Sequence, residues 1–155
     1  MSGDYRMNIF LQEVKYPDIQ MLRIIRNDCR EYMTNNTDII TEEEQILWFD
    51  NLDGMIPYIL FESFHGVAFT PIGYGIVKLE SECATLTGGL MFDYRNKGYG
   101  RYLFGLLIEE AKKYNSRVCL QVLKTNTRAY TLYQKLGFKV IAETDVLYTM
   151  VLDEN

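Results

Sequence analysis

Apolar residues recur at two different spacings in the first third of the chain. Residues 8–14 have the pattern of a strand that Pro17 ends, and the apolar positions of residues 18–33 recur at helical spacing. After a polar interruption, Thr41-Glu42-Glu43-Glu44 has the form of a capping box, which predicts that a second helix begins there. Asp53-Gly54 then breaks the helical pattern. This part of the chain therefore predicts one strand followed by two helices.

The middle of the chain is typical of β structure. Residues 58–64 and 72–79 favour two strands joined by a turn around His65-Gly66. Residues 83–92 predict a third strand, and the pair Gly88-Gly89 inside it predicts a bulge.

The last third alternates between helical and extended patterns. Residues 102–114 carry leucines on one helical face, and residues 117–123 alternate and are rich in β-forming side chains. Residues 127–136 predict a helix closed by Gly137, and residues 138–142 and 146–152 predict two final strands. The whole order is mixed α/β: strand, two helices, three strands, helix, strand, helix, two strands.

Composition and charge narrow the classes of function. With 155 residues, 48% of them apolar, the chain predicts a single soluble domain over residues 1–155 that needs neither disulfides nor metal. Its net charge of −5 gives no support to nucleic-acid binding. No apolar run approaches the roughly 20 residues that span a bilayer, and the start lacks a signal peptide, so we expect a cytoplasmic protein. Three widely spaced cysteines predict buried, reduced thiols.

A glycine-rich loop follows the third strand of the β region. Arg95-Asn96-Lys97-Gly98-Tyr99-Gly100 lies between a predicted strand and a predicted helix, where backbone N–H groups and the helix dipole attract phosphate. Gly98 and Gly100 let an anion approach the backbone, and Arg95, Lys97 and Arg101 add positive charge. The loop lacks the Gly-Lys-Ser/Thr of a Walker loop and the third glycine of a dinucleotide fingerprint.

A second group of residues lies on the next predicted helix. Asn126, Ala129 and Tyr133 occur at i, i+3 and i+7, so they share one helical face. Asn126 can cap the helix and bond an amide-bearing ligand, Ala129 leaves room for that ligand, and Tyr133 places a phenol beside it.

Together the two groups resemble the paired signature of the GNAT superfamily of N-acetyltransferases. The matching residues are Arg95-x-x-Gly98-x-Gly100 and Asn126-x-x-Ala129-x-x-Leu132-Tyr133-x-Lys135-Leu136-Gly137-Phe138. The resemblance implies a central, mostly antiparallel sheet of about seven strands with a splayed or bulged middle strand, and four helices. It also implies direct transfer of acetyl from acetyl-CoA to an amine, with no metal.

The resemblance assigns roles to individual residues. Backbone groups of Leu90, Met91 and Phe92 would hold the pantetheine arm, although many members carry proline at the position of Phe92. The loop from Arg95 through Asn96, Lys97, Gly98, Tyr99 and Gly100 to Arg101 would hold the pyrophosphate. Asn126 and Ala129 would contact the cofactor, and Tyr133 would protonate the departing thiolate.

The general base stays open at this point. Members that acetylate a ribosomal protein carry glutamate at the position of Gln121, and histone-type members place a carboxylate on the strand that here offers only Thr85 and Thr87. Glu80, Glu82, Tyr74 and a water chain are the candidates.

The first two helices are expected to wall the acceptor pocket. Arg26 and Arg30 lie one helical turn apart and could grip an anionic group, and Trp48 could stack on a sugar ring. This region resembles GNAT members that acetylate amino sugars, often nucleotide-linked, and more distantly the polyamine acetyltransferases. We therefore expect a small primary amine, with an amino sugar preferred. A polyamine, a peptide or protein amine, and a non-catalytic acyl-CoA-binding module are the alternatives, and a homodimer is left open.

Overall fold

Four helices and seven strands follow the predicted order in a computed structural model that describes residues 7–30 and 38–152. The strands are β1 (Met7–Glu13), β2 (Met55–Phe64), β3 (Ala68–Leu79), β4 (Ala84–Leu90), β5 (Val118–Leu123), β6 (Lys139–Glu143) and β7 (Leu147–Leu152). The helices are α1 (Ile19–Cys29), α2 (Glu42–Asp50), α3 (Tyr99–Lys112) and α4 (Thr127–Lys135). The predicted end of the first helix, at Met33, lies outside the described residues.

All seven strands belong to one sheet, in the order β1-β2-β3-β4-β5-β7-β6. Every neighbouring pair is antiparallel except β4 and β5, which run parallel. The turn of the β2–β3 hairpin contains His65 and Gly66, both at positive φ (58° and 72°), as the sequence predicted. The mostly antiparallel sheet that the resemblance implied is confirmed.

The parallel contact between β4 and β5 is short. It consists of three residue pairs, from Ala84 opposite Val118 to Leu86 opposite Leu120. Beyond Leu86 the two strands separate, whereas the pairing of β4 with β3 continues to Leu90. The middle of the sheet is therefore splayed, in agreement with the expected fold.

The predicted bulge at Gly88-Gly89 is wrong, because the register with β3 passes through both glycines without a shift. The two glycines instead provide close approach. A Cβ added at Gly89 would lie 3.1 Å from the Cys29 sulfur, and one at Gly88 would lie 3.0 Å from the Tyr74 carbonyl oxygen. The register shifts of the sheet fall between Leu60 and Phe61 and between Val140 and Ala142.

Helices cover both faces of the sheet. The apolar face of α1 packs with Tyr74 and Ile76 of β3 in one buried cluster. The second buried cluster joins α3 and α4 to the opposite face, with Leu86, Leu103 and Tyr133 among its members. The splay between β4 and β5 is thus covered by α3 and α4 on one face, whereas on the other face α1 packs on β3 and β4.

Local signals at the helix starts explain where the helices begin. The Thr41 hydroxyl accepts a hydrogen bond from the Glu44 N–H at 3.1 Å, and the Glu44 carboxylate accepts one from the Thr41 N–H at 2.9 Å, so the predicted capping box is confirmed. α3 begins at Tyr99, three residues before the predicted Tyr102, because Gly98 adopts a left-handed conformation (φ 90°) and serves as its N-cap.

Candidate active site

The splay opens into a large cleft beside the glycine-rich loop. Its volume is about 1420 Å³, and its walls come from β4, β5, the loop and the start of α4. The predicted catalytic residue Tyr133 lines this cleft, and so do most of the predicted cofactor residues, namely Leu90, Arg95, Asn96, Lys97, Gly98, Gly100, Arg101, Asn126 and Ala129. The side chains of Met91, Phe92 and Tyr99 are not part of its lining. Arg128 and Lys135 of α4 also line it.

The loop presents the N-terminus of α3 to the cleft. Asn96 and Gly98 both have positive φ (63° and 90°), which turns the chain sharply into the helix. A Cβ added at Gly98 would have no atom within 4 Å, whereas one at Gly100 would lie 3.1 Å from Leu132 of α4. Gly98 therefore leaves open space at a helix N-terminus, whose first N–H groups have no partner within the helix. This geometry suits an anion such as a pyrophosphate.

The Arg95 side chain points away from that anion site. Its Nε donates to the Leu90 carbonyl at 2.9 Å, and its Nη2 donates to the Asp28 carbonyl at the end of α1 at 3.0 Å. Arg95 thus braces the loop against β4 and α1. From the sequence we expected Arg95 only to add positive charge beside a phosphate, because a sequence motif does not reveal which way a side chain points.

Asp28 is a residue that the sequence reasoning missed. Its carboxylate accepts a hydrogen bond from the Phe92 N–H at 2.6 Å, and the neighbouring Met91 N–H donates to the Ile72 carbonyl at 2.9 Å. The Phe92 side chain is 68% exposed. The Leu90 carbonyl accepts from Arg95 and from the Cys29 thiol, at 3.2 Å from the sulfur. The end of β4 is therefore fixed to α1, which no local sequence signal indicates.

Asn126 and Tyr133 occupy opposite ends of α4. The Asn126 side-chain oxygen accepts from the Ala129 N–H at 3.1 Å, so Asn126 is the N-cap of α4. Tyr133 is 7% exposed and packs against Phe104 and Phe138, with ring centroids 4.8 and 6.1 Å away. Burial, with a smaller contribution from Tyr74, raises the pKa of the Tyr133 hydroxyl, which therefore carries its proton at neutral pH.

The candidate bases lie at two ends of the cleft. Tyr74 pairs with Gly89 on β4, whereas Glu80 accepts a hydrogen bond from Thr85 at 2.7 Å. Four residues of strand separate Gly89 from Thr85, a distance of roughly 13 Å. Glu80 and Glu82 both line the cleft and are exposed. Burial raises the pKa of Tyr74 to about 12, so this phenol is a proton donor and a poor base at neutral pH.

The predicted acceptor residues do not converge on one point. Arg26 donates to the Gln45 side-chain oxygen at 3.0 Å, and its guanidinium carbon lies 4.5 Å from the centre of the Trp48 ring. Arg30 donates back to the Asn27 carbonyl of its own helix at 2.9 Å. Arg26 and Trp48 are therefore in contact, whereas the Arg30 side chain bonds within its own helix. The Asn/Thr-rich residues 34–37 lie outside the described residues.

Cys29 and Cys119 are buried, Cys83 is partly exposed, and all three are free thiols. Across residues 7–30 and 38–152, no three His, Cys, Asp or Glu side chains come together in a way that would hold a metal ion. None of the described helices is both long and apolar enough to cross a membrane.

A split sheet beside an open helix N-terminus, with a buried tyrosine lining the gap, is the arrangement expected of a coenzyme A-dependent acyltransferase. The family model of the GNAT acetyltransferases matches residues 22–138, and the chain belongs to this family. It is therefore an N-acetyltransferase by class, with acetyl-CoA as the acyl donor. No curated protein matches the sequence significantly.

Solved structures share the fold at low sequence identity. A domain from Methanocaldococcus jannaschii superposes with a TM-score of 0.84 at 16% identity, covering 96% of this chain and 100% of that one. Spermidine N-acetyltransferase from Vibrio cholerae, in complex with CoA and spermine, gives 0.78 at 14% identity, covering 93% and 94%. An N-acetyltransferase from Staphylococcus aureus gives 0.75 at 19% identity, covering 94% and 98%. These similarities concern the fold.

Proposed function

We propose that this protein transfers the acetyl group of acetyl-CoA to a primary amine of a small molecule, and that the amine belongs to an amino sugar. The observation that carries the proposal is the continuous cleft that runs from the glycine-rich loop, through the gap between β4 and β5, to Tyr133. The loop would hold the pyrophosphate, and the gap would take the pantetheine arm with the thioester beyond it.

The residues around the gap suit direct transfer. The amine nitrogen attacks the thioester carbon, and the tetrahedral intermediate collapses as the carbon–sulfur bond breaks. Tyr133, which is buried and protonated, gives its proton to the departing thiolate. The proton that the amine loses passes to solvent through the open cleft, because the described residues place no ionised base beside Tyr133.

The acceptor side of the cleft carries several neutral polar side chains that suit a hydroxyl-rich molecule. Thr85, Thr87, Gln121 and Thr149 line it with hydroxyl and amide groups. The strand register places these four side chains on the same face of the sheet as Tyr74. Thr87 pairs with Ile76, which follows Tyr74 by two residues and therefore points to the same face, and Gln121 pairs with Thr149. A site without a strong base also favours an amine of modest pKa, and amino-sugar amines are less basic than lysine, whose reference pKa is about 10.4.

A polyamine is the second candidate. Glu80 and Glu82 line the same cleft and could bind a second ammonium group away from the reacting nitrogen. The Vibrio cholerae neighbour, crystallised with spermine, makes this candidate worth a direct comparison.

A turnover screen with acetyl-CoA tests the proposal. Free and nucleotide-linked amino sugars, spermidine and an N-terminal peptide are compared by release of free CoA thiol, with Tyr133→Phe run in parallel. We expect kcat/KM to be highest for an amino sugar. Faster turnover of spermidine or of the peptide would overturn the acceptor assignment, and CoA binding without turnover of any amine would favour the binding-module alternative.

A further inference from the structure

Tyr74 is a buried phenol whose hydroxyl has no hydrogen-bond partner among the described residues. It projects from β3 opposite Gly89, and a Cβ added at Gly89 would lie 3.4 Å from Cε1 of the Tyr74 ring. The glycine therefore makes room for the ring beside β4. Tyr74 lines the cleft although only 1% of it is exposed. The hydroxyl is therefore available to a hydrogen-bond acceptor that binds in the cleft.

A buried arginine, Arg26, lies near this hydroxyl. The Arg26 guanidinium is held by Gln45, which is fully buried, and by the Trp48 ring. Both partners are neutral, and the Arg26 Nε atom is buried without a hydrogen-bond acceptor. Burial and, to a lesser extent, the Cys29 thiol raise the pKa of the Tyr74 phenol, and the Arg26 charge acts in the opposite direction. The Arg26 charge therefore makes the Tyr74 hydroxyl a stronger hydrogen-bond donor than it would be without that cation.

The two tyrosines approach the gap from opposite layers. Tyr74 belongs to the buried cluster of α1, and Tyr133 belongs to that of α3 and α4. They are nonetheless near enough to interact electrostatically. A thioester in the gap would therefore meet one phenol on each side.

We propose that Tyr74 is a catalytic residue, whose hydroxyl donates a hydrogen bond to the thioester carbonyl oxygen, and that Arg26 is a positioning residue, whose charge supports that donor. This assignment rests on the acetyl transfer proposed above. When the amine nitrogen bonds to the carbonyl carbon, the carbonyl π electrons move to oxygen, which becomes an oxyanion held by Tyr74. When the carbon–sulfur bond breaks, the carbonyl re-forms and the thiolate takes the proton of Tyr133. The excess amine proton goes to water, and Tyr133 regains a proton from water to complete the turnover. Tyr74 keeps its own proton throughout.

Tyr74→Phe removes only the hydroxyl and tests this role. Loss of one oxyanion donor typically lowers kcat by about 10²–10³-fold, and we expect a fall of about 10²-fold here. The KM values of both substrates and the acetyl-CoA affinity measured by calorimetry should stay near those of the wild type. The melting temperature should not fall, because the lost hydroxyl bonds no described residue.

Tyr58→Phe is the matched control. Tyr58 is also buried, but it lies outside the cleft and its hydroxyl faces Glu110 at 3.4 Å, so its loss should leave kcat unchanged. An unchanged kcat in Tyr74→Phe, or the loss of an ionisation from its pH profile of kcat/KM, would overturn the proposal, because the second result would make Tyr74 a base. A wild type that acetylates no amine would instead refute the proposed function.

Arg26→Gln tests the supporting charge. We expect it to lower kcat in the wild-type background and to have little further effect in Tyr74→Phe, since the charge acts through the hydroxyl. Equal effects in both backgrounds would show that Arg26 acts independently of Tyr74 and would overturn that part of the proposal.

Discussion

At the scale of single residues, the site depends on a few backbone conformations and contacts that a single substitution can disrupt, by adding a side chain or a charge. Gly98 has φ of 90°, and the space where its side chain would be is empty. Tyr133 is enclosed by Phe104 and Phe138 in the opposite wall of the cleft. In the proposed function Gly98 would lie against the pyrophosphate and Tyr133 against the leaving sulfur, so we expect substitutions at them to change different kinetic constants.

Gly98→Asp should abolish tight binding of acetyl-CoA. A carboxylate about 4 Å from a phosphate costs roughly 1–4 kcal/mol at effective dielectric constants of 80 to 20, which weakens affinity by about 5- to 900-fold. Gly98→Asn is the matched control, because asparagine has the same shape, tolerates positive φ and carries no charge. Calorimetry should show the larger loss for aspartate, and equal losses would mean that strain, not charge, is responsible.

Tyr133→Phe should lower kcat toward the smaller end of the ~10²–10⁴-fold range of general acid catalysis. A thiolate is a tolerable leaving group, since the pKa of a free thiol is about 8.5. Burial raises the pKa of Tyr133, so the proton that Tyr133 donates is present throughout neutral pH and is lost only in strong alkali. Steady-state kinetics check this result, and an effect confined to KM would show that Tyr133 only binds or packs.

At the scale of elements, glycines decide how closely strands and helices approach. A Cβ at Gly73 of β3 would lie 2.7 Å from the Gly89 carbonyl oxygen, a backbone atom that cannot move without shifting β4. A Cβ at Gly105, within α3, would have no atom within 4 Å. The same substitution should therefore have opposite effects at the two positions.

Gly73→Ala should destabilise the protein by about 1–3 kcal/mol, the usual cost of overpacking. Gly105→Ala should stabilise it by roughly 0.5–1 kcal/mol, because glycine is a poor helix former. The free energy of unfolding from denaturant titration measures both. A stabilising effect at Gly73 would mean that β4 yields without strain.

The elements themselves could largely be predicted from the sequence, because their signals are local. The capping box at Thr41 and the glycine that ends α4, Gly137, each depend on adjacent residues. The Gly88-Gly89 bulge was predicted wrongly, since glycine in a strand indicates either a bulge or a close neighbour, and here that neighbour is Cys29, sixty residues away along the chain. The contacts of Asp28 and Arg95 are also long-range, so no periodicity reveals them. The roles of individual site residues stay predictions.

At the scale of the whole molecule, the cleft divides the sheet into β1–β4 and β5–β7, joined by three parallel residue pairs. A ligand that contacts both halves should stabilise them together. At a concentration of 100 times its Kd, acetyl-CoA adds about 2.7 kcal/mol, or roughly 5–11 °C in melting temperature for a chain of this length. Thermal denaturation measures the shift. Gly98→Asp should lose most of it, and an equal shift in that variant would place the ligand elsewhere.

The short parallel contact also gives this protein an internal sheet edge. Beyond Leu86 and Leu120, β4 and β5 leave each other, so the backbone groups of each that face the gap lose their strand partner. On the outside of a protein, such an edge invites pairing with another chain and aggregation. Here the separated strands border the cleft beside the glycine-rich loop, so their free backbone groups face a ligand site and not another chain. A pantetheine arm carries amide groups along a thin chain, and we expect those amides to pair with the strand edges as a neighbouring strand would.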